Sequence, residues 1–106
     1  MAFDSSYTIT DAVAHVTLTG ELDASSAGTF KTVIEAIAAQ KPTRLVLHLE
    51  GLSFMASAGL RVLVFAKQKM GAGVDIYVVG CQAPVQSTLQ MSGFHHSVYL
   101  QEKYGG

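Results

Sequence analysis

Only one cysteine, Cys81, occurs among the 106 residues, with two prolines and no tryptophan. A lone thiol cannot close an internal disulfide, which favours a reducing compartment. Charge is also scarce: Asp, Glu, Lys and Arg together make up 14%, and the formal net charge is −1. The basic residues are scattered, with Lys67 and Lys69 the closest grouping, so no basic stripe argues for nucleic acid. No apolar run approaches the roughly 20 residues that a membrane span requires. The opening MAFDSSYT lacks the basic and apolar regions of a signal peptide. These absences predict a cytoplasmic protein with no nucleic-acid or membrane partner.

Catalytic and cofactor signatures are missing as well. Gly71 and Gly73 precede an expected strand rather than following one, and no third glycine completes G-x-G-x-x-G. There is no P-loop and no G-x-S-x-G elbow. His95 and His96 are adjacent without a second pair at zinc-ligand spacing, and Cys81 does not supply one. The expectation is therefore no enzyme, no cofactor and no metal.

What is present is a hydrophobic fraction of 49%, enough for one compact domain over residues 1–106. Tyr7 to Thr10 reads as a short strand, followed by a turn around Asp11. Val13 to Thr19 alternates, with Ala14, Val16 and Leu18 on one face. After a turn at Gly20 to Asp23, the residues Ala27, Phe30, Ile34, Ile37 and Ala38 recur at helical spacing until Lys41-Pro42. Leu45 to Leu49 predicts a buried strand, a break at Gly51, a short loop and then a helix from about Ala58 to Met70. Gly71-Ala72-Gly73 ends that helix. Val74 to Val79 is strand-like, Pro84 to Ser92 helical with Gly93 as its stop, and Val98 to Leu100 a weak strand. The order is β-β-α-β-α-β-α-β, an α/β domain with a mixed sheet, its core spanning about 7–100 and residues 101–106 forming a polar tail. Parallel pairing belongs in the middle and an antiparallel pair at the start.

Ser57 falls at the start of the second helix, among unpaired N–H groups and the positive end of the helix dipole. Two roles suit a serine there: an N-cap, or a phosphoacceptor, since helix N-termini favour phosphate. The same helix has more apolar residues than one stripe can hold. If Leu63, Ala66 and Met70 face the sheet, Val64 and Phe65 tend outward beside Arg61 and Gln68. Either the helix is buried more deeply than usual, or it presents an apolar surface beside Ser57 to a partner.

The segment L-x-G-L-S-F-M-x-S-A-G-L-R-V-L, from Leu49 to Leu63, resembles the central signature of STAS domains, which include bacterial anti-sigma-factor antagonists. Upstream, Gly20-Glu21-Leu22-Asp23 resembles the G-x-[IL]-D turn of the same family. The resemblance spans about Tyr7 to Leu100. It implies a STAS-like fold and a partner switch. The unphosphorylated antagonist binds an anti-sigma factor that is also a serine kinase, freeing a sigma factor; phosphorylation at Ser57 breaks that complex, and a phosphatase restores it. It further implies a binding face made of Gly20, Glu21, Leu22, Asp23, Ala56, Ser57, Ala58, Gly59, Arg61, Val64 and Phe65. Asp23 also suits capping of the first helix. Many family members carry Asp immediately before the acceptor, whereas this chain has Ala56. The alternative is a STAS interaction module or scaffold in stress signalling that works without phosphorylation.

Overall fold

The computed structural model describes residues 2–71 and 73–104; Met1, Ala72, Gly105 and Gly106 lie outside the described residues. The elements are β1 (Asp4–Thr10), β2 (Val13–Leu22), α1 (Ala27–Ala39), β3 (Arg44–Met55), α2 (Ser57–Met70), β4 (Asp75–Val79), α3 (Ala83–Ser92), a 3₁₀ turn (Phe94–His96) and β5 (Tyr99–Gln101). This is the expected α/β order. The five strands lie side by side in the order β1-β2-β3-β4-β5. β1 pairs antiparallel with β2, and the remaining pairs are parallel. The hairpin turns on Asp11 and Ala12, both with positive φ (52° and 64°). That pairing of left-handed residues matches the twist of the two strands.

Because the strand order never reverses, crossovers of one hand put all three helices on one face of the sheet. The burial pattern agrees. Ala14, Val16 and Leu18 on β2, Leu45, Leu47 and Leu49 on β3, and Ile76 and Val78 on β4 are closed off from solvent. Phe30, Ile34 and Ile37 of α1 and Leu63 and Ala66 of α2 meet them from the helix side. On the other face His15, His48 and Tyr77 are only half-buried, and Thr17 is exposed.

Three features differ from the sequence-based expectation, and two of them shape the site. β3 does not break at Gly51. It continues to Met55, because its pairing with β2 runs on past a register shift (Thr19↔Gly51, Leu22↔Met55). Gly51 is needed there because a Cβ would sit 2.8 Å from Thr19 Cγ2. Likewise Gly20, Glu21 and Leu22 are not a turn but the end of β2, and the chain turns only at Asp23. Gly20 takes φ +85°, and a Cβ on it would run into the Ala2 carbonyl. Hydrophobic alternation is lost at both glycines, which is why each looked like a stop. The third difference is the tail. Gln101 belongs to β5, and Tyr104 is tied down: the Arg44 guanidinium donates to its phenol oxygen at 2.6 Å. The rest of that tail, residues 105–106, lies outside the described residues.

Candidate functional site

The two strand extensions bring the two family-like motifs together. Glu21 pairs with Phe54 and Leu22 with Met55. The Ala56 N–H then donates to the Leu22 carbonyl at 2.8 Å, and the Ser53 hydroxyl donates to the Gly20 carbonyl at 3.1 Å. From the other side, the Thr88 hydroxyl of α3 lies 3.2 Å from the Met55 carbonyl. Neighbours on both sides thus fix the backbone one residue before Ser57. A single residue, Ala56, separates β3 from α2.

Ala56, in extended conformation (φ −81°, ψ 167°), occupies the N-cap position, and Ser57 is the first residue inside the helix. The capping role for Ser57 is therefore not taken up. An N-cap side chain reaches the N–H groups two and three residues on, and from one position later Ser57 does not reach back to them. Its exposed hydroxyl has no hydrogen-bond partner among the described residues. Gly59 and Leu60 donate to the Ala56 carbonyl, while the Ser57 and Ala58 N–H groups have no backbone acceptor in the helix geometry. No acidic residue stands in the first turn. Arg61, exposed one turn further along, makes no ion pair among the described residues. Unpaired N–H groups, the dipole and a free guanidinium favour negative charge on Ser57. No base contacts its hydroxyl, so nothing in the described chain activates it as a nucleophile.

Asp23 organises the adjoining turn. Its Oδ1 accepts from the Ser25 hydroxyl (2.7 Å) and N–H (3.0 Å) and from the Ser26 N–H (3.1 Å). Hydrogen bonds from the Ser25 and Ser26 side chains, with backbone donors adding to them, hold the carboxyl below the ordinary aspartate range, so it stays ionised. Ser26 is formally the N-cap of α1 and makes no side-chain cap bond; Asp23 caps the single turn that runs into it. The second oxygen, Oδ2, makes no hydrogen bond among the described residues.

The expected binding residues separate into two layers. Ser57, Arg61 and Val64 are exposed and, with Gln68, form one stripe along α2. Glu21, Asp23, Ala56 and Ala58 are half-buried around its start. Gly20, Leu22 and Gly59 are buried and support the face from below. Gly59 is required by packing, since a Cβ there would lie 2.6 Å from Leu22 Cγ. Phe65 does not point outward as expected. It is half-buried against the core, with the Lys31 ammonium of α1 4.9 Å over its ring. α1 occupies the space that an isolated helical wheel leaves open, which resolves the excess of apolar residues on α2 mostly as deep burial. Sequence reasoning missed Phe54, which is 43% exposed two residues before the N-cap. The pattern hid it: by alternation Phe54 shares the phase of the buried Leu52, and the register shift between Leu52 and Phe54 turns Phe54 outward and Met55 inward.

Among the described residues no three His, Cys, Asp or Glu side chains converge as a metal centre, and no helix is long and apolar enough to cross a membrane. Cys81 is unsuited to nucleophilic work, since burial pushes its thiol up to about 11.

The STAS domain model matches residues 5–105, and the chain belongs to the STAS domain family. It is 30% identical over 104 residues to the anti-sigma-F factor antagonist RsfB of Mycobacterium tuberculosis, a match covering 94% of this chain and 85% of that one. An anti-sigma factor antagonist from Mycobacterium paratuberculosis has the same fold, with a TM-score of 0.88 at 24% identity over 96% of this chain and 87% of the other. SpoIIAA shares it too. Its unphosphorylated form gives a TM-score of 0.78 at 24% identity, over 93% and 87% of the two chains. Its phosphorylated form, from Bacillus, gives 0.69 at 22% identity, over 93% and 90%.

Proposed function

We propose that this chain is a cytoplasmic anti-sigma-factor antagonist, acting as one STAS domain over residues 1–106 and switched by phosphorylation of Ser57. The observation that carries the reading is the placement of Ser57. It is exposed at the first helical position, held beside the Glu21–Asp23 edge, with unpaired N–H groups and Arg61 around it. The names of RsfB and SpoIIAA, and the existence of SpoIIAA in two phosphorylation states, support the same reading.

In the unphosphorylated state the face formed by Glu21, Asp23, Phe54, Ser57, Arg61 and Val64 binds an anti-sigma factor, which also supplies ATP and the serine kinase activity. This chain contributes the acceptor hydroxyl and no cofactor; it is a regulatory binding protein. Phosphorylation adds about 1.5 to 2 negative charges. The helix N-terminus accommodates that charge within this protein, while the interface receives it as bulk and repulsion. Like-charge contact across an interface costs several kcal/mol, and each 1.4 kcal/mol is tenfold in affinity. A phosphatase returns the chain to its binding form.

Ala56 favours a second reading, a STAS module that binds its regulator without phosphorylation, because alanine offers no carboxylate beside the acceptor. Incubation with the cognate anti-sigma kinase and ATP separates the two. The switch requires one phosphate, mapped by mass spectrometry to Ser57, with Ser57→Ala retaining the partner in the presence of ATP and Ser57→Asp binding it poorly. Stoichiometric phosphate on another serine sinks the assignment. Tight binding with no phosphate on either the natural chain or Ala56→Asp favours the module.

A further inference from the structure

On the sheet face opposite the helices, two imidazoles meet. His15 of β2 pairs in register with Val46, so His48 of β3 stands one same-face position further along the neighbouring strand. Nδ1 of His15 and Nε2 of His48 share a hydrogen bond of 3.0 Å, and which nitrogen donates depends on the tautomer. Their rings are nearly parallel, 19° apart, with centroids separated by 5.3 Å. Both line a shallow cavity of about 400 Å³, together with Ser6, Thr8, Thr17 and Glu50. Nothing in the Ser57 site uses this pair.

We propose that His15 and His48 form a two-histidine chelate for a divalent late first-row transition ion, of the Ni²⁺, Cu²⁺ or Zn²⁺ type. Ligand chemistry suits it, since neutral imidazole is a good donor to these ions. The geometry suits it also. Two nitrogens at about 2.0–2.1 Å from one ion stand about 2.9 Å apart at a right angle and about 3.3 Å apart at a tetrahedral one, and 3.0 Å falls between these values. An ion binding there takes the place of the proton shared by the two nitrogens, and that proton moves to the far nitrogen of its own ring. Tyr104 packs edge-on against the His15 ring, at 5.6 Å between centroids, and is itself held by Arg44. That edge contact packs against the outer side of the His15 ring. With no third protein donor converging among the described residues, water completes the coordination, and Glu50 on the cavity wall is the carboxylate nearest in sequence and face. The site is an open one, unlike a closed structural zinc centre.

Protein freed of any affinity tag is titrated with NiCl₂ by calorimetry and, separately, with ZnCl₂ while the imidazole resonances are followed by NMR. One ion should bind per chain, with Zn²⁺ shifting the His15 and His48 signals and leaving those of His95 and His96 in place. His15→Gln and His48→Gln should each weaken Ni²⁺ binding at least about tenfold, and His95→Gln should leave it unchanged. The resonance mapping on the unaltered chain decides the matter even if a variant folds poorly. Absence of binding at millimolar ion, affinity indifferent to either substitution, or shifts confined to His95 and His96 would each overturn the proposal.

Discussion

Replacing Gly59 by alanine should destabilise the protein even though alanine is the better helix former. A Cβ at this position would lie 2.6 Å from Leu22 Cγ, 2.7 Å from Leu22 Cδ2 and 3.3 Å from Met55 Cγ. Neither neighbour is a flexible tip in solvent: Leu22 is fully buried and Met55 is 1% exposed. Extra volume in a packed core costs about 1–3 kcal/mol. Against it stands a helix-propensity gain of up to about 1 kcal/mol, and less than that in a first turn. The net expectation is a loss of about 1 kcal/mol, or about 4–8 °C in the midpoint of thermal unfolding for a domain of this size. Far-UV circular dichroism during thermal and urea unfolding measures it. A double-mutant cycle sharpens the test, because both contacts under 3 Å are made by Leu22. With Leu22→Ala already in place, Gly59→Ala should cost nothing or stabilise. A raised midpoint for the single variant, or strictly additive effects in the cycle, would refute the steric account. Since the Leu22 carbonyl also holds the Ala56 N–H, the single variant should weaken partner binding as well.

Phe54→Ala should leave the unfolding midpoint within a few degrees while weakening binding of the anti-sigma partner by about 1 kcal/mol or more, as expected of an exposed aromatic anchor; calorimetric affinity for the variant and the natural chain checks this, and equal affinities would place the partner elsewhere. Cys81, its thiol raised to about 11 by burial, should react with iodoacetamide at pH 8 far more slowly than a free cysteine. Its rate should rise towards the free value in urea, and rapid alkylation of the folded chain would contradict the packing.

The element order, the antiparallel start and all three helices were legible because each buries one regular face. The period-2 run of Ala14, Val16 and Leu18 and the helical spacing of Phe30, Ile34 and Ile37 repeat the geometry of the surface they pack on. The stops were read less well. Gly20 and Gly51 punctuate the sequence like loop residues, yet each has a register partner within a continuing strand (Gly20↔Leu52, Thr19↔Gly51), with a register shift beside it. A hydrogen-bonding partner 30 or so residues away decides whether the strand continues.

Ser57 as a residue at a helix start, Asp23 beside a turn and the two motifs that name the family were present in the sequence itself, because backbone chemistry at helix ends and turns is local. That the motifs share one face was decided by tertiary structure, through the pairing of Leu22 with Met55 and the Ala56 N–H on the Leu22 carbonyl. So was the division of α2 into the exposed stripe of Ser57, Arg61, Val64 and Gln68 and the turned-in Phe65, which lies under Lys31 of α1. The meeting of His15 with His48 across two strands had no trace in the pattern at all. A sequence records which side chains want burial or a cap; which neighbours they meet depends on contacts between distant segments, and those exist only once the sheet has closed its register.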